Sequence, residues 1–132
     1  MGSVTVLKYH LELTTRHQKP ALQGIEQSVH KALHRVEEVS DFRILNMRVE
    51  HGNQIHLAIK MSPRYSVSSM VNRIKGLSQH FLWMEEEDHL QQFYRGSKKK
   101  LWKGSYFCST LGDVSEKTVL RYVEKQNDHP SR

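Results

Sequence analysis

Residues 44–61 read Ile44-Leu45-Asn46-Met47-Arg48-Val49-Glu50-His51-Gly52-Asn53-Gln54-Ile55-His56-Leu57-Ala58-Ile59-Lys60-Met61. Two apolar-rich runs flank a tight turn at His51-Gly52-Asn53, the pattern of a β-hairpin. In the second arm Ile55, Leu57, Ile59 and Met61 fall on one face, while Gln54, His56, Ala58 and Lys60 fall on the other. A sheet with one apolar face needs an apolar cover, and the flanking sequence supplies it. Upstream, from Leu22 onward, Ile25, Val29, Ala32, Leu33 and Val36 recur at steps of three and four, which predicts a helix ending near Val39. Downstream of Pro63-Arg64-Tyr65, Ser66 or Ser68 is a candidate N-cap for a second helix. That helix turns Val67, Met70, Val71, Ile74 and Leu77 inward and runs past Gly76, a candidate break, towards Trp83.

Further out, Thr5 to Thr14 reads as a first strand, with Val6, Tyr9, Leu11 and Leu13 in its apolar content. Arg16 to Lys19 makes a basic turn stopped by Pro20. Tyr106 to Thr110 is a short strand closed by Gly112-Asp113, and Ser115 opens a last helix through Val119, Tyr122, Val123 and Gln126. The order strand, helix, strand, strand, helix, strand, helix suits an α+β antiparallel sheet with helices on one face. No repeat or linker interrupts it, so a single domain is expected over residues 1–132, with a core of about 4–127 and a polar tail.

Twenty Lys and Arg against fourteen Asp and Glu give a formal charge of +6, which makes a polyanionic partner plausible. One cysteine, Cys108, excludes an internal disulfide framework and a cysteine-rich zinc site. No apolar run is long enough to cross a bilayer and no leader precedes the first charges, so no membrane role and a cytoplasmic location are expected. Neither GxxxxGK(S/T) nor GxGxxG occurs, so no nucleotide cofactor is expected. The cations cluster apart from the acidic run Glu85 to Asp88. Arg16 and Lys19 leave the first strand, Arg64 precedes the second helix, and Arg73 and Lys75 ride on it. Lys98, Lys99, Lys100, Trp102 and Lys103 interleave cations with an indole, the mix that tracks a phosphate backbone while stacking a base. Lysine runs are commonly only solvated loops; the clustering favours nucleic acid here.

Three segments together resemble the small single-tyrosine transposases of insertion sequences, the TnpA-like and REP-associated members of the HUH endonuclease superfamily. They are Tyr9-His10-Leu11 with Thr15-Arg16 and Pro20; Ile55-His56-Leu57 with Pro63-Arg64-Tyr65-Ser66, Ile74-Lys75-Gly76 and Ser78; and Leu101-Trp102 through Arg121-Tyr122-Val123-Glu124-Lys125-Gln126. Order and spacing match from about Tyr9 to Gln126. The resemblance implies a ferredoxin-like fold whose C-terminal helix carries the catalytic tyrosine, here Tyr122. It implies a homodimer that binds single-stranded DNA, at hairpins near element ends, and cleaves and rejoins strands through a 5′-phosphotyrosine. It also implies a divalent metal, Mg²⁺ or Mn²⁺, held by His56, Gln126 and the residue at position 54.

Taken on spacing alone, Tyr122 with Val119 and Val123 reads as a core or rim aromatic; the resemblance makes it the nucleophile, with Gln126 one turn away on the same helix face. A lone strand histidine is likewise more often structural than a ligand. Gln54 and His56 project together, about 6.5–7 Å apart along the strand. The family pattern at this place is His-hydrophobic-His, and this chain has Gln54-Ile55-His56. A glutamine carbonyl suits a hard ion but binds a softer one less well than imidazole. His51, in the turn, is a candidate substitute ligand. Two rival readings follow: a DNA-binding descendant whose chemistry has decayed at Gln54, and an RNA-binding module, weakened because Gln54, His56 and Ala58 stand where stacking aromatics would be needed.

Overall fold

A computed structural model describes residues 7–96 and 98–112. Within them the chain forms β1 (Leu7–Thr15), a 3₁₀ turn (Arg16–Gln18), α1 (Glu26–Glu38), β2 (Arg43–Glu50), β3 (Gln54–Met61), α2 (Val67–Glu85), α3 (Glu87–Gln91) and β4 (Trp102–Gly112). The four strands form one antiparallel sheet in the order β2-β3-β1-β4. This is the expected α+β ferredoxin-like arrangement. The first residues of the expected opening strand and the whole helix from Ser115 to Gln126, with Tyr122 and Gln126, lie outside the described residues.

Period-two alternation in β1 and β3 decides what each face of the sheet meets. Leu11 and Leu13 of β1 and Ile55, Leu57, Ile59 and Met61 of β3 join one core with Val29, Ala32, Leu33 and Val36 of α1. Met70, Val71, Ile74, Leu82 and Trp83 of α2 close the same core. The inward residues of α1 recur at three- and four-residue steps, so its apolar stripe is continuous. α2 is unbroken through Gly76, and the Ser66 hydroxyl caps it by accepting a hydrogen bond from the Ser69 amide at 3.0 Å. Ser78 is a polar member of this interior. Its hydroxyl donates to the Ile74 carbonyl at 2.5 Å and accepts the Trp102 indole N–H at 2.9 Å, tying α2 to β4.

Two boundaries differ from the sequence expectation. α1 begins at Glu26 rather than near Leu22, because Gly24 takes φ +86, a left-handed conformation that a helix cannot pass through. Leu22 is nevertheless fully buried, and its amide donates to the Gly52 carbonyl in the hairpin turn at 2.8 Å. Gly52 itself needs to be glycine twice over: its φ is +67, and a Cβ there would meet the Gln23 Cβ at 2.9 Å. β4 extends back to Trp102 rather than starting near Tyr106. It stays paired with β1 from Lys8↔Gly112 to Thr15↔Trp102, with a register shift between Leu13 and Thr15 that absorbs the irregular Lys103-Gly104-Ser105 stretch.

Candidate metal centre and nucleic-acid interface

The second face of the sheet carries the polar residues of the alternation. β1 places Lys8, His10, Glu12 and Thr14 there, opposite Lys60, Ala58, His56 and Gln54 of β3. β2 adds Arg48 opposite His56 and Glu50 opposite Gln54. His10 and His56 are 2% and 3% exposed, although neither belongs to the apolar core between sheet and helices.

His56 is the hub. Its neighbour directly across β1 is Glu12, and His10 is the diagonal neighbour, within reach of a long side chain. The two imidazoles stack with centroids 5.3 Å apart and planes at 20°. His10 Nε2 lies 3.1 Å from His56 Nδ1, and a Glu12 carboxylate oxygen lies 3.7 Å from that same Nδ1. On the other side of the ring, His56 Nε2 is 2.9 Å from Glu50 Oε1. Arg48 Nη1 stands 3.2 Å from the second Glu50 oxygen. A carboxylate can only accept, so the His56 Nε2–H donates to Glu50, and Nδ1 is the ring nitrogen that faces His10 and Glu12.

The electrostatics follow from this packing. Burial, reinforced by the charges of His56 and Arg48, lowers the His10 pKa from 6.5 to about 4, so this ring is neutral at physiological pH. Burial pushes the Glu50 carboxyl up, but the hydrogen bond from His56 and the charges of His56 and Arg48 outweigh it, so its pKa is lowered. One ligand atom each from His10, Glu12 and His56 all fall within 4.8 Å of one another. Two imidazoles and a carboxylate converging in this way are a donor set a divalent cation can use.

Of the residues expected to hold metal, the structure describes Gln54 and His56 on the same face of β3; Gln126 lies outside the described residues. His51 is exposed in the turn at φ +55 and is not among the three converging donors. In the sequence His10 stands out only through the family resemblance, and nothing singles out Glu12 or Glu50. The signal was present in the alternation Lys8, His10, Glu12, Thr14 between Tyr9, Leu11 and Leu13. What spacing within one strand could not supply was the register that brings β1 against β3.

The cations expected to bind DNA divide by environment. At the end of β1 the basic turn is held firmly. The Thr15 hydroxyl donates to the Lys19 carbonyl at 2.7 Å, the Tyr94 hydroxyl donates to the Arg16 carbonyl at 2.9 Å, and Lys19 Nζ donates to the Phe93 carbonyl at 2.9 Å. Arg16, His17 and Gln18 line a surface groove with Lys103. Lys98, Lys99 and Lys100 are exposed, with Lys99 3.5 Å from Glu87. Arg64 lies over the Tyr65 ring at 5.6 Å. Arg73 is committed to the end of α1, with Nε on the Ser40 hydroxyl at 2.8 Å and Nη2 on the Val39 carbonyl. Lys75 donates to the Gly104 carbonyl at 3.1 Å. Trp102 corrects the sequence reading: it is 4% exposed and packed in the core, its N–H spent on Ser78, so its ring has no face to offer a base. Cys108 sits half-buried on β4, where burial pushes its thiol pKa up, the opposite of an activated nucleophile.

A family model described as "Transposase IS200 like" matches residues 3–126. The chain is 22% identical over 128 residues to ISDra2 transposase TnpA of Deinococcus radiodurans, covering 96% of this chain and 89% of that protein. It is 28% identical over 120 residues to the transposase for insertion sequence element IS200 of Salmonella typhimurium, covering 90% and 76%. Among solved structures it is similar to a transposase from Deinococcus radiodurans, with a TM-score of 0.73 at 23% identity over 96% of this chain and 95% of that one. It is also similar to a REP-associated tyrosine transposase bound to a REP hairpin, with a TM-score of 0.60 at 16% identity over 94% and 67%. At these identities the structural likeness establishes the fold.

Proposed function

The chain belongs to the IS200-like transposase family, and from that membership we propose that it binds single-stranded DNA at hairpin ends and cleaves and rejoins strands through Tyr122. The observation that carries this reading is the family match over residues 3–126. The histidine-centred polar cluster on the sheet face opposite α1 and α2 supports it. The likeness to a transposase bound to a REP hairpin supports the hairpin as the form of DNA recognised.

In this reading the Tyr122 oxygen attacks the scissile phosphorus, and the bond from phosphorus to the 3′ oxygen breaks. The tyrosine loses its proton, the departing oxygen gains one, and a 5′-phosphotyrosine remains. Rejoining is the reverse attack by a 3′-hydroxyl. One ester replaces another, so no nucleotide cofactor is needed. His56 would hold a divalent cation, Mg²⁺ or Mn²⁺, which would supply Lewis-acid polarisation of a phosphate oxygen. Gln54 and Gln126 are the companions of His56 that the family pattern implies. Arg16, Lys19, Lys98, Lys99, Lys100 and Lys103 attract the phosphate backbone, while Arg64, Arg73 and Lys75 add charge around α2. The working unit is a homodimer of a single-domain chain acting on cytoplasmic DNA.

The test is a denaturing gel with the single-stranded ends of the element flanking this gene, with Mg²⁺ or Mn²⁺. A covalent protein–DNA adduct that requires both metal and Tyr122, and vanishes in Tyr122→Phe, is the expected result. The presence of Gln54 at a usual histidine position favours one second reading, a DNA-binding descendant without chemistry. Hairpin binding with no adduct, in the wild type and in Gln54→His, would establish that reading instead.

A further inference from the structure

We propose that the metal ligands of this chain are His10 Nε2 and a Glu12 oxygen on β1 with His56 Nδ1 on β3, that Glu50 orients His56, and that Gln54 is dispensable for binding. This rests on the proposed metal-assisted chemistry and relocates its centre by one strand. Three observations carry it. The donor atoms of the three residues already lie within 4.8 Å of one another. The 3.1 Å approach of His10 Nε2 and the 3.7 Å approach of Glu12 both aim at the same His56 nitrogen, so the three donors face one another across the two strands. The far nitrogen of His56 is taken by Glu50 at 2.9 Å, and Glu50 is held in turn by Arg48 at 3.2 Å.

That last chain is how proteins orient a metal-binding histidine: a carboxylate accepts one ring N–H, fixing the tautomer and raising the basicity of the other nitrogen. Here it selects Nδ1 as the ligand, which points towards β1 and away from β2. The pair of ligands that Gln54 breaks on β3 is thereby completed across the strand boundary. Glu12 brings the negative charge that a glutamine amide lacks. Two imidazoles with one carboxylate also shift the preference from Mg²⁺, which favours all-oxygen surroundings, towards Mn²⁺ and Co²⁺.

Direct binding tests this without DNA. The full chain, stripped with a chelator and carrying Tyr122→Phe so that no chemistry intervenes, is titrated calorimetrically with MnCl₂ and MgCl₂, and with CoCl₂ while visible absorption is followed. Mn²⁺ should bind more tightly than Mg²⁺. Glu12→Gln should weaken Mn²⁺ by more than roughly tenfold and change the Co²⁺ bands, and Glu50→Gln by about tenfold to a hundredfold. Gln54→Ala should change affinity by less than about threefold. Glu12 is partly exposed, so its amide variant should fold, and a thermal melt in chelator verifies that; the Co²⁺ spectrum of the parent reports nitrogen ligation independently of any variant.

Wild-type affinity in Glu12→Gln, loss of binding in Gln54→Ala, or no Mn²⁺ binding by the parent each overturns the assignment. The two readings fail separately. Mn²⁺ bound through Glu12 in a chain that never forms an adduct overturns cleavage and leaves this centre standing. Adduct formation with metal affinity untouched in Glu12→Gln does the reverse.

Discussion

The two faces of one sheet are built from neighbouring residues and obey different rules. On β3, Ile55, Leu57 and Ile59 face the helices, and Gln54, His56 and Lys60 face away. The helix side is held by many interchangeable apolar contacts, so it tolerates a swap of one hydrophobe for another of similar volume. The other side is held by particular atoms at particular distances: 3.1 Å from His10 to His56 and 2.9 Å from His56 to Glu50. A fold can be specified by pattern, whereas this site is specified by register.

Breaking the helix side should have the largest effect. Leu57 is fully buried, and Leu57→Ala should cost about 3 kcal/mol in urea denaturation. A cost under about 1 kcal/mol would mean that this face is less tightly packed than its burial indicates. On the polar side the corresponding lever is protons. His10 titrates at about 4 when folded and near 6.5 when unfolded. Between those values the unfolded chain binds the extra proton, so stability falls as pH drops through this window and the contribution levels off below it. In chelator the loss from this group should reach about 2 kcal/mol by pH 5. Denaturation midpoints at pH 7 and pH 5 measure it, and a His10→Asn variant should lack it. An equal loss in that variant would assign the effect to another group.

A smaller effect sharpens the boundary between the faces. Trp102→Phe removes the indole N–H that Ser78 accepts at 2.9 Å and should cost about 1 kcal/mol. It should leave single-stranded DNA affinity unchanged, as a core residue does; a marked loss of affinity without loss of stability would restore Trp102 to the interface. The smallest effect concerns Phe107, half exposed and edge-on to His10 with centroids 5.8 Å apart. Phe107→Ala should barely alter stability but should raise the His10 pKa by admitting water, which histidine proton NMR across the acid range would detect. An unmoved titration would show that other neighbours keep that ring dry.

These contrasts also explain what the sequence disclosed. The hairpin, the apolar stripes of α1 and α2, the Ser66 cap and the two faces of β3 were all legible, because each depends on residues within one turn or one strand. The start of α1 was misplaced because Gly24 interrupts a stripe that Leu22 otherwise continues. The cations around Trp102 in sequence suggest base stacking, while its partner Ser78 is brought to it only by the packing of α2 on β4. The donors around His56 are hidden in sequence for the same reason. Glu12 and His56 become neighbours only when β1 and β3 pair, and Glu50 joins them only through the register of β2.

The unbroken register between β1 and β3, from Leu7↔Met61 to Thr14↔Gln54, has an evolutionary consequence. A single-residue insertion or deletion within either strand would turn its core residues outward and its ligands inward, destroying stability and site in one event. Point substitutions on the polar side carry no such penalty. A lineage can therefore lose a ligand at one position and recruit a carboxylate from the adjacent strand by separate single-codon steps, passing through intermediates that still fold. Ligand turnover within an unchanged frame is the path this sheet leaves open.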